Sequence, residues 1–154
     1  MGSGKTTVAN ILAKKLNLEV IEMDDLIVKK TGKSISQIFN EDGETRFREL
    51  EIKVAKSLAK KDKCIISTGG GVVINKININ HLKENGTIIF LKTSFLEINK
   101  RLKNIKDRPL FNNKKATKKL FIFRQKIYEE YADLIINTDK KSVEKIIYEI
   151  ISQN

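Results

Sequence analysis

MGSGKTT, residues 1–7, is the stretch that decides the fold. Gly2 to Thr6 match the second half of a phosphate-binding loop of the form GxxxxGK[ST]. In such a loop the glycines let backbone N–H groups converge on phosphate oxygens, the lysine reaches the β- and γ-phosphates, and the hydroxyl can bind Mg²⁺. Residues 8–16 follow with apolar side chains at helical spacing. The N-terminus of this helix is therefore predicted to point at a bound anion.

Length and composition indicate one domain over residues 1–154, since 40% of the residues are hydrophobic and 32% are charged. No apolar run approaches the roughly 20 residues needed to cross a bilayer, so no membrane partner is expected. The single cysteine, Cys64, cannot form an internal disulfide. A buried thiol in a cytoplasmic protein is the interpretation that fits.

The formal net charge of +11 raises the possibility of nucleic-acid binding. The lysines, however, are spread along the whole chain on the polar sides of predicted helices, and tryptophan is absent. Aromatic side chains are not interleaved with the basic ones in the way that base stacking requires. Solvated helix faces explain most of the lysines, and no nucleic-acid partner is predicted.

Arginine is scarce in this lysine-rich chain and is therefore the more informative cation. A planar guanidinium fork is suited to bidentate capture of a carboxylate or phosphate, or to stacking on a base. Each arginine is accordingly a candidate site residue, although one or two could serve structural ion pairs. The five are Arg46, Arg48, Arg101, Arg108 and Arg124.

Short apolar strands alternate with amphipathic helices along the chain, which predicts an α/β fold with a parallel sheet flanked by helices. Parallel sheets of this kind bind ligands beyond the carboxyl ends of their strands. Three consecutive glycines, Gly69 to Gly71, follow one such strand; they favour close approach of the backbone to a ligand, with a strained turn as the alternative. Strands are predicted at 18–22, 63–67, 87–91 and 133–137, and helices at 8–16, 24–30, 34–39, 43–61, 75–84, 94–103, 118–131 and 142–152.

Further motifs follow the loop in an order and spacing that resemble the shikimate kinase family over essentially the whole chain. The combination of DGE-x-x-FR, TGGG and RPL is specific, whereas GKTT alone indicates only a nucleotide-binding loop. The resemblance implies a three-layer P-loop kinase fold, similar to that of nucleoside monophosphate kinases. The matching segments are 2–7, 22–24, 31–32, 38–39, 42–51, 68–71, Arg101, 108–110, Arg124 and Tyr128.

The activity implied by the resemblance is transfer of the γ-phosphoryl group of ATP to the 3-hydroxyl of shikimate, on the route to chorismate and the aromatic amino acids. Shikimate is a carboxylate that bears three hydroxyl groups. Arg48 and Arg124 would hold the carboxylate by bidentate hydrogen bonds. Asp24 would accept from the ring hydroxyls and help to deprotonate the attacking one. Gly69, Gly70 and Gly71 would lie along the ring, within an acceptor-binding region that covers about residues 24–61.

On the nucleotide side, the resemblance implies that the phosphates are held by Gly2, Ser3, Gly4, Lys5, Thr6 and Thr7. Lys5 and Arg108 would bracket the transferring phosphoryl group, whose charge spreads in the transition state. Arg101 would stack near the adenine, and Lys141 would contact it. Thr6 and Glu22 would hold Mg²⁺, although the family usually has aspartate at the position of Glu22. Residues 104–118 would form a lid that excludes water, and a monomer is expected.

The fold implied by the resemblance places a central strand directly before the phosphate loop. The sequence as written starts at the loop, so we expect an N-terminally incomplete domain whose first central strand is missing, with two open strand edges and poor folding in isolation. Two alternative functions fit the motifs less well. One is another small-molecule kinase of the same fold, such as a gluconate kinase, and the other is a non-catalytic nucleotide-binding relative.

Overall fold

A computed structural model describes residues 2–102 and 114–153 of the chain. Helices and short strands alternate as the sequence predicts, and the α/β class is confirmed. The order of elements is α1 (Lys5–Leu16), β1 (Glu19–Glu22), α2 (Met23–Thr31), α3 (Ile35–Gln37), a π-helical turn (Ile38–Asp42), α4 (Gly43–Leu58), β2 (Cys64–Ser67), a 3-10 turn (Val72–Ile74), α5 (Lys76–Lys83), β3 (Ile89–Lys92), α6 (Phe95–Leu102), α7 (Lys114–Tyr131), β4 (Leu134–Asn137) and α8 (Val143–Ser152).

The helices follow from local signals that are visible in the sequence. In α4 the apolar side chains recur at helical spacing and are all buried: Phe47, Leu50, Val54 and Leu58. Ser34 begins α3 with a capping box, because its hydroxyl accepts from the Gln37 N–H while the Gln37 side chain accepts from the Ser34 N–H. No helix in the described part of the chain is long and apolar enough to span a bilayer.

The sheet is divided into two parallel pairs of strands. Strand β1 pairs with β2, with Glu22 opposite Ser67, and β3 pairs with β4, with Lys92 opposite Asn137. Within the described residues no ladder joins β2 to β3. An apolar groove separates the two pairs.

Two hydrophobic clusters lie on the two sides of this groove. The first joins β1, α2, α4 and α5, with Ile27, Ile38 and Ala55 fully buried. The second joins α1, β3, β4 and α8 around Ile136 and Ile147. Each pair of strands therefore has its own buried cluster.

Two segments differ from the sequence-based prediction. The helix that begins after Ser34 widens into a π-helical turn, in which the Gly43 N–H donates to the Ile38 carbonyl. Gly43 has a φ of 82°, a backbone conformation that favours glycine. Helix α7 begins at Lys114, so the last five residues of the predicted lid, 114–118, are helical. Lysine and alanine are good helix formers, which accounts for this extension. The rest of the predicted lid, 104–113, lies outside the described residues.

Candidate active site

The phosphate loop turns sharply into α1. Gly2 and Gly4 have φ of 65° and 86°, and no cap side chain occupies the helix N-terminus. The Gly4 carbonyl accepts from the Val8 N–H at 2.9 Å, while the first-turn residues Thr6 and Thr7 are exposed. The loop thus presents backbone N–H groups and the positive end of the helix dipole to an anion, as the sequence predicts.

The loop touches both halves of the domain. Arg101 of α6 donates to the Ser3 carbonyl in the loop at 3.3 Å and to the Thr138 carbonyl just beyond β4 at 3.1 Å. On the other side, the charge of Lys5 lowers the pKa of Asp24, which lies at the start of α2 directly after β1. The loop is therefore linked through Arg101 to the carboxyl end of β4, and the charge of its lysine reaches the carboxyl end of β1.

Two carboxylates, Glu22 and Asp24, lie at the carboxyl end of β1 with one residue between them. Burial raises the pKa of Asp24 above its ordinary value. The positive charges of Lys5 and Arg48 lower this pKa, and the negative charge of Glu22 raises it further. The Oε1 atom of Glu22 is buried and has no hydrogen-bond partner within the described part of the chain. A buried carboxylate oxygen left in this state is suited to a cation or to a water bound to one.

The glycine segment, Gly69 to Gly71, lies against the side chains of Asp24 and Arg48. A Cβ on Gly69 would stand 3.0 Å from Asp24 Oδ1, and a Cβ on Gly71 would stand 2.5 Å from Arg48 Nη1. The absence of side chains is therefore what allows a carboxylate and a guanidinium to sit on one stretch of backbone. Close approach, the favoured interpretation of the glycines, is the one that fits this packing.

Arg48 is held from two sides by residues of its own helix. Its Nη1 donates to Oε2 of the buried Glu51 at 2.7 Å, and its Nε and Nη2 donate to Glu44 Oε1 at 3.1 and 2.8 Å. The Phe47 ring lies 5.3 Å from the guanidinium carbon. The fork is thus fixed over Gly71 before any ligand arrives.

Arg124 approaches the same segment from α7. Its guanidinium hydrogen-bonds the Tyr128 hydroxyl one turn further along the helix, and that hydroxyl donates to the Gly70 carbonyl at 2.5 Å. Asp24, Arg48 and Arg124 are also coupled through Glu51, whose pKa is influenced by the charge of each of the three. The acceptor residues predicted from the sequence therefore lie together around the glycine segment.

A cavity of about 520 Å³ occupies the groove between the half-sheets and reaches Gly69, Gly70 and Arg124, whereas Asp24 and Arg48 are not among its lining residues. Ser3, Lys5, Gly69 and Arg124 line its polar end. The strand edges of β2 and β3, with Leu12 and Ile150 from the flanking helices, line the rest.

Two predicted nucleotide-contacting residues already have protein partners. Besides its two carbonyl contacts, Arg101 donates to Glu97 at 3.2 Å, so stacking on a base would use the planar faces of its guanidinium. Lys141 donates to Glu149 of α8 at 2.6 Å, and Ser142 caps that helix. Contact of either with adenine stays a prediction, and Arg108 lies outside the described residues.

Two site residues were not assigned roles on the basis of the sequence. Glu51 is 1% exposed although it is charged, and its position between the buried Leu50 and Val54 of α4 was the available signal. Tyr128 was recognised only as part of a motif. Its contact with Gly70 joins positions 58 residues apart, so no local pattern could have revealed it.

A glycine-rich loop that opens a helix, together with a carboxylate and a guanidinium packed on a glycine segment, is the arrangement of a P-loop kinase. The family model described as "Shikimate kinase" matches residues 1–154. The chain therefore belongs to the shikimate kinase family, as the resemblance predicted.

Curated relatives are similar over nearly the whole chain. The shikimate kinase of Sulfurihydrogenibium sp. (strain YO3AOP1) is 42% identical, covering 99% of this chain and 92% of the relative. That of Persephonella marina is 41% identical, covering 99% and 93%. Two solved structures have the same fold. The shikimate kinase from Acinetobacter baumannii in complex with shikimate has a TM-score of 0.90 at 31% identity, covering 99% and 87%. The enzyme from Aquifex aeolicus has a TM-score of 0.86 at 38% identity, covering 99% and 90%.

Proposed function

We propose that this chain transfers the γ-phosphoryl group of ATP to the 3-hydroxyl of shikimate. The single observation that carries the proposal is that Asp24 packs on Gly69 and lies within reach of the charges of both the phosphate-loop residue Lys5 and the arginine Arg48. A hydroxyl held by Asp24 would face the phosphates, while a carboxylate on the same small molecule would reach the arginines. Family membership and the shikimate bound to the relative from Acinetobacter baumannii support the same acceptor.

The acceptor is held at both ends in this scheme. Arg48 and Arg124 bind its carboxylate by charge-assisted hydrogen bonds, and Gly69 to Gly71 lie along its ring. Asp24 accepts from the attacking hydroxyl and orients it. Because burial raises the pKa of Asp24, this carboxylate is also a better proton acceptor than an exposed one.

The donor is bound by the phosphate loop. Gly2 to Thr7 hold the phosphates, Arg101 and Lys141 contact the adenine, and Lys5 with Arg108 stabilises the charge that spreads over the transferring group. The predicted lid, now limited to residues 104–113, would exclude water, which otherwise competes as the acceptor.

The metal in this proposal is Mg²⁺ held by Thr6 and Glu22 together with the nucleotide phosphates. The orphaned, buried Oε1 of Glu22 supports the assignment. Among residues 2–102 and 114–153 no group of three or more His, Cys, Asp or Glu could hold an ion unaided, which is in keeping with a metal that arrives with ATP. When bound, Mg²⁺ neutralises phosphate charge during the transfer.

We further propose a cytoplasmic monomer with small-molecule partners alone, without nucleic acid or membrane. The free thiol of Cys64 supports a reducing compartment. Light scattering after gel filtration tests the oligomeric state, with a mass near the 17.6 kDa of one chain expected.

Arg48→Lys tests the acceptor assignment, because lysine keeps the charge and loses the fork. We expect the KM for shikimate to rise about ten- to 100-fold, the loss of one or two charge-assisted hydrogen bonds, with the KM for ATP unchanged. The matched control is Arg46→Lys, since Arg46 lies on the same helix in an exposed pair with Glu49. An unchanged KM for shikimate in Arg48→Lys would contradict the assignment.

A further inference from the structure

Helix α7 carries Arg124 and Tyr128 at positions i and i+4, so both side chains face the glycine segment. The Tyr128 ring packs on Phe90 of β3 with centroids 5.0 Å apart, and the ring belongs to the border of the first hydrophobic cluster. Its hydroxyl accepts from the Arg124 guanidinium and donates to the Gly70 carbonyl at 2.5 Å. One phenol therefore joins an arginine fork to the backbone of the site.

The carbonyl groups of the glycine segment are all engaged by the protein. The Gly69 carbonyl accepts from the Val72 N–H at 3.3 Å and the Gly71 carbonyl from the Ile74 N–H at 3.0 Å, while Tyr128 holds the Gly70 carbonyl. The N–H groups of these three glycines make no hydrogen bond within the described residues. Because a trans peptide directs its N–H opposite to its C=O, fixing the Gly70 carbonyl also fixes the direction of the Gly71 N–H.

The hydroxyl is suited to a relay of this kind. A guanidinium that donates to the phenol oxygen polarises the O–H bond and strengthens the bond that this group donates onward. Burial raises the pKa of Tyr128, so the hydroxyl keeps its proton at neutral pH and remains a donor. Arg124 has few other restraints, since its buried Nε has no partner within the described part of the chain.

We propose that Tyr128 is a positioning residue for the acceptor site, which orients the Arg124 fork and the Gly70–Gly71 peptide toward the bound carboxylate. This inference rests on the proposed roles of Arg124 and of the glycine segment. Tyr128 touches neither substrate in this account and acts through the groups that do. Its removal is accordingly expected to affect acceptor binding and to spare nucleotide binding.

Tyr128→Phe removes the hydroxyl and keeps the ring that packs on Phe90. Tyr131→Phe is the matched control, because Tyr131 borders the same cluster and its hydroxyl has no hydrogen-bond partner within the described residues. We expect the KM for shikimate to rise about ten-fold in Tyr128→Phe, the effect of losing hydrogen bonds to a charged group. The kcat should change less than three-fold, and the KM for ATP and the melting midpoint should match those of Tyr131→Phe.

Arg124→Lys separates failure of this inference from failure of the site assignment. If the KM for shikimate rises in Arg124→Lys and stays at the wild-type value in Tyr128→Phe, the role of Tyr128 is overturned and the site assignment stands. If neither variant changes it, the assignment of Arg124 fails as well. If Tyr128→Phe raises both KM values and lowers the melting midpoint relative to Tyr131→Phe, Tyr128 is a structural residue and the inference is overturned.

Discussion

Gly71→Ala is expected to impair acceptor binding with almost no effect on folding. Gly71 has φ −91°, which any residue adopts, so the new methyl group brings no backbone strain. The methyl carbon would stand 2.5 Å from Arg48 Nη1 and 3.1 Å from Nη2. The guanidinium is the far end of a flexible side chain and can retreat, but it must move by about 1 Å to reach an ordinary contact. A displacement of that size is expected to cost about 100-fold.

The loss is expected in kcat/KM for shikimate and corresponds to about 2.7 kcal/mol of transition-state stabilisation. The assay is steady-state ADP release at varied shikimate, with the KM for ATP measured in parallel and expected to stay constant. Thermal unfolding should give a free energy of unfolding within about 0.5 kcal/mol of the wild type.

Gly69→Ala provides a graded comparison at the other end of the glycine segment. Its methyl carbon would stand 3.0 Å from Asp24 Oδ1, so the carboxylate needs to shift by only a few tenths of an ångström. We expect a smaller loss of kcat/KM than in Gly71→Ala. A Gly71→Ala enzyme with the wild-type KM and kcat for shikimate would refute the close packing of Arg48 on this backbone.

Two further predictions concern the buried carboxylate Glu51 and the half-buried carboxylate Asp24. Glu51→Ala should lower the free energy of unfolding by about 3 kcal/mol in a urea titration. This value is at the lower end for a broken buried ion pair, because Glu44 still contacts Arg48. The control Glu49→Ala, which breaks an exposed pair, should change the free energy of unfolding by less than about 1 kcal/mol. Asp24→Asn should abolish turnover yet be more stable than the wild type at neutral pH. The pKa of Asp24 is raised in the folded state, so the ionised carboxylate opposes folding. The free energy of unfolding of the wild type should therefore increase as the pH falls through that pKa. The kcat/KM of the wild type should accordingly fall on acidification with an apparent pKa above the ordinary value of about 3.9, and an acid limb at or below that value would contradict the buried environment of Asp24.

Much of the fold could be predicted because its signals are local. The loop glycines, the apolar stripe of α4 and the cap residues Ser34 and Ser142 each act within one or two helical turns, and each lies in the predicted element. The boundary that moved most is the start of α7, predicted at residue 118 and found at Lys114. The lysine- and asparagine-rich sequence there lacks the apolar periodicity on which the prediction relied.

The site was predictable as a set of residue types and less so as a network. Scarce arginines, a carboxylate after β1 and three glycines after β2 marked the candidate residues. The family resemblance then assigned Arg48 and Arg124, and not the exposed Arg46, to the acceptor site. Their connections were not predictable, because the Tyr128 contact with Gly70 spans the domain and the Arg48 contact with Glu51 depends on which face of α4 is buried. The Lys141 contact with Glu149 likewise became visible only when α8 was seen beside it.

The most direct test of the central claim is ADP release from Mg-ATP with and without shikimate, with gluconate and a nucleoside monophosphate as control acceptors. The account predicts release that depends on shikimate and that neither control supports, together with a slow background rate in the absence of an acceptor. ATP binding without turnover on any acceptor, or turnover with gluconate in place of shikimate, would contradict it.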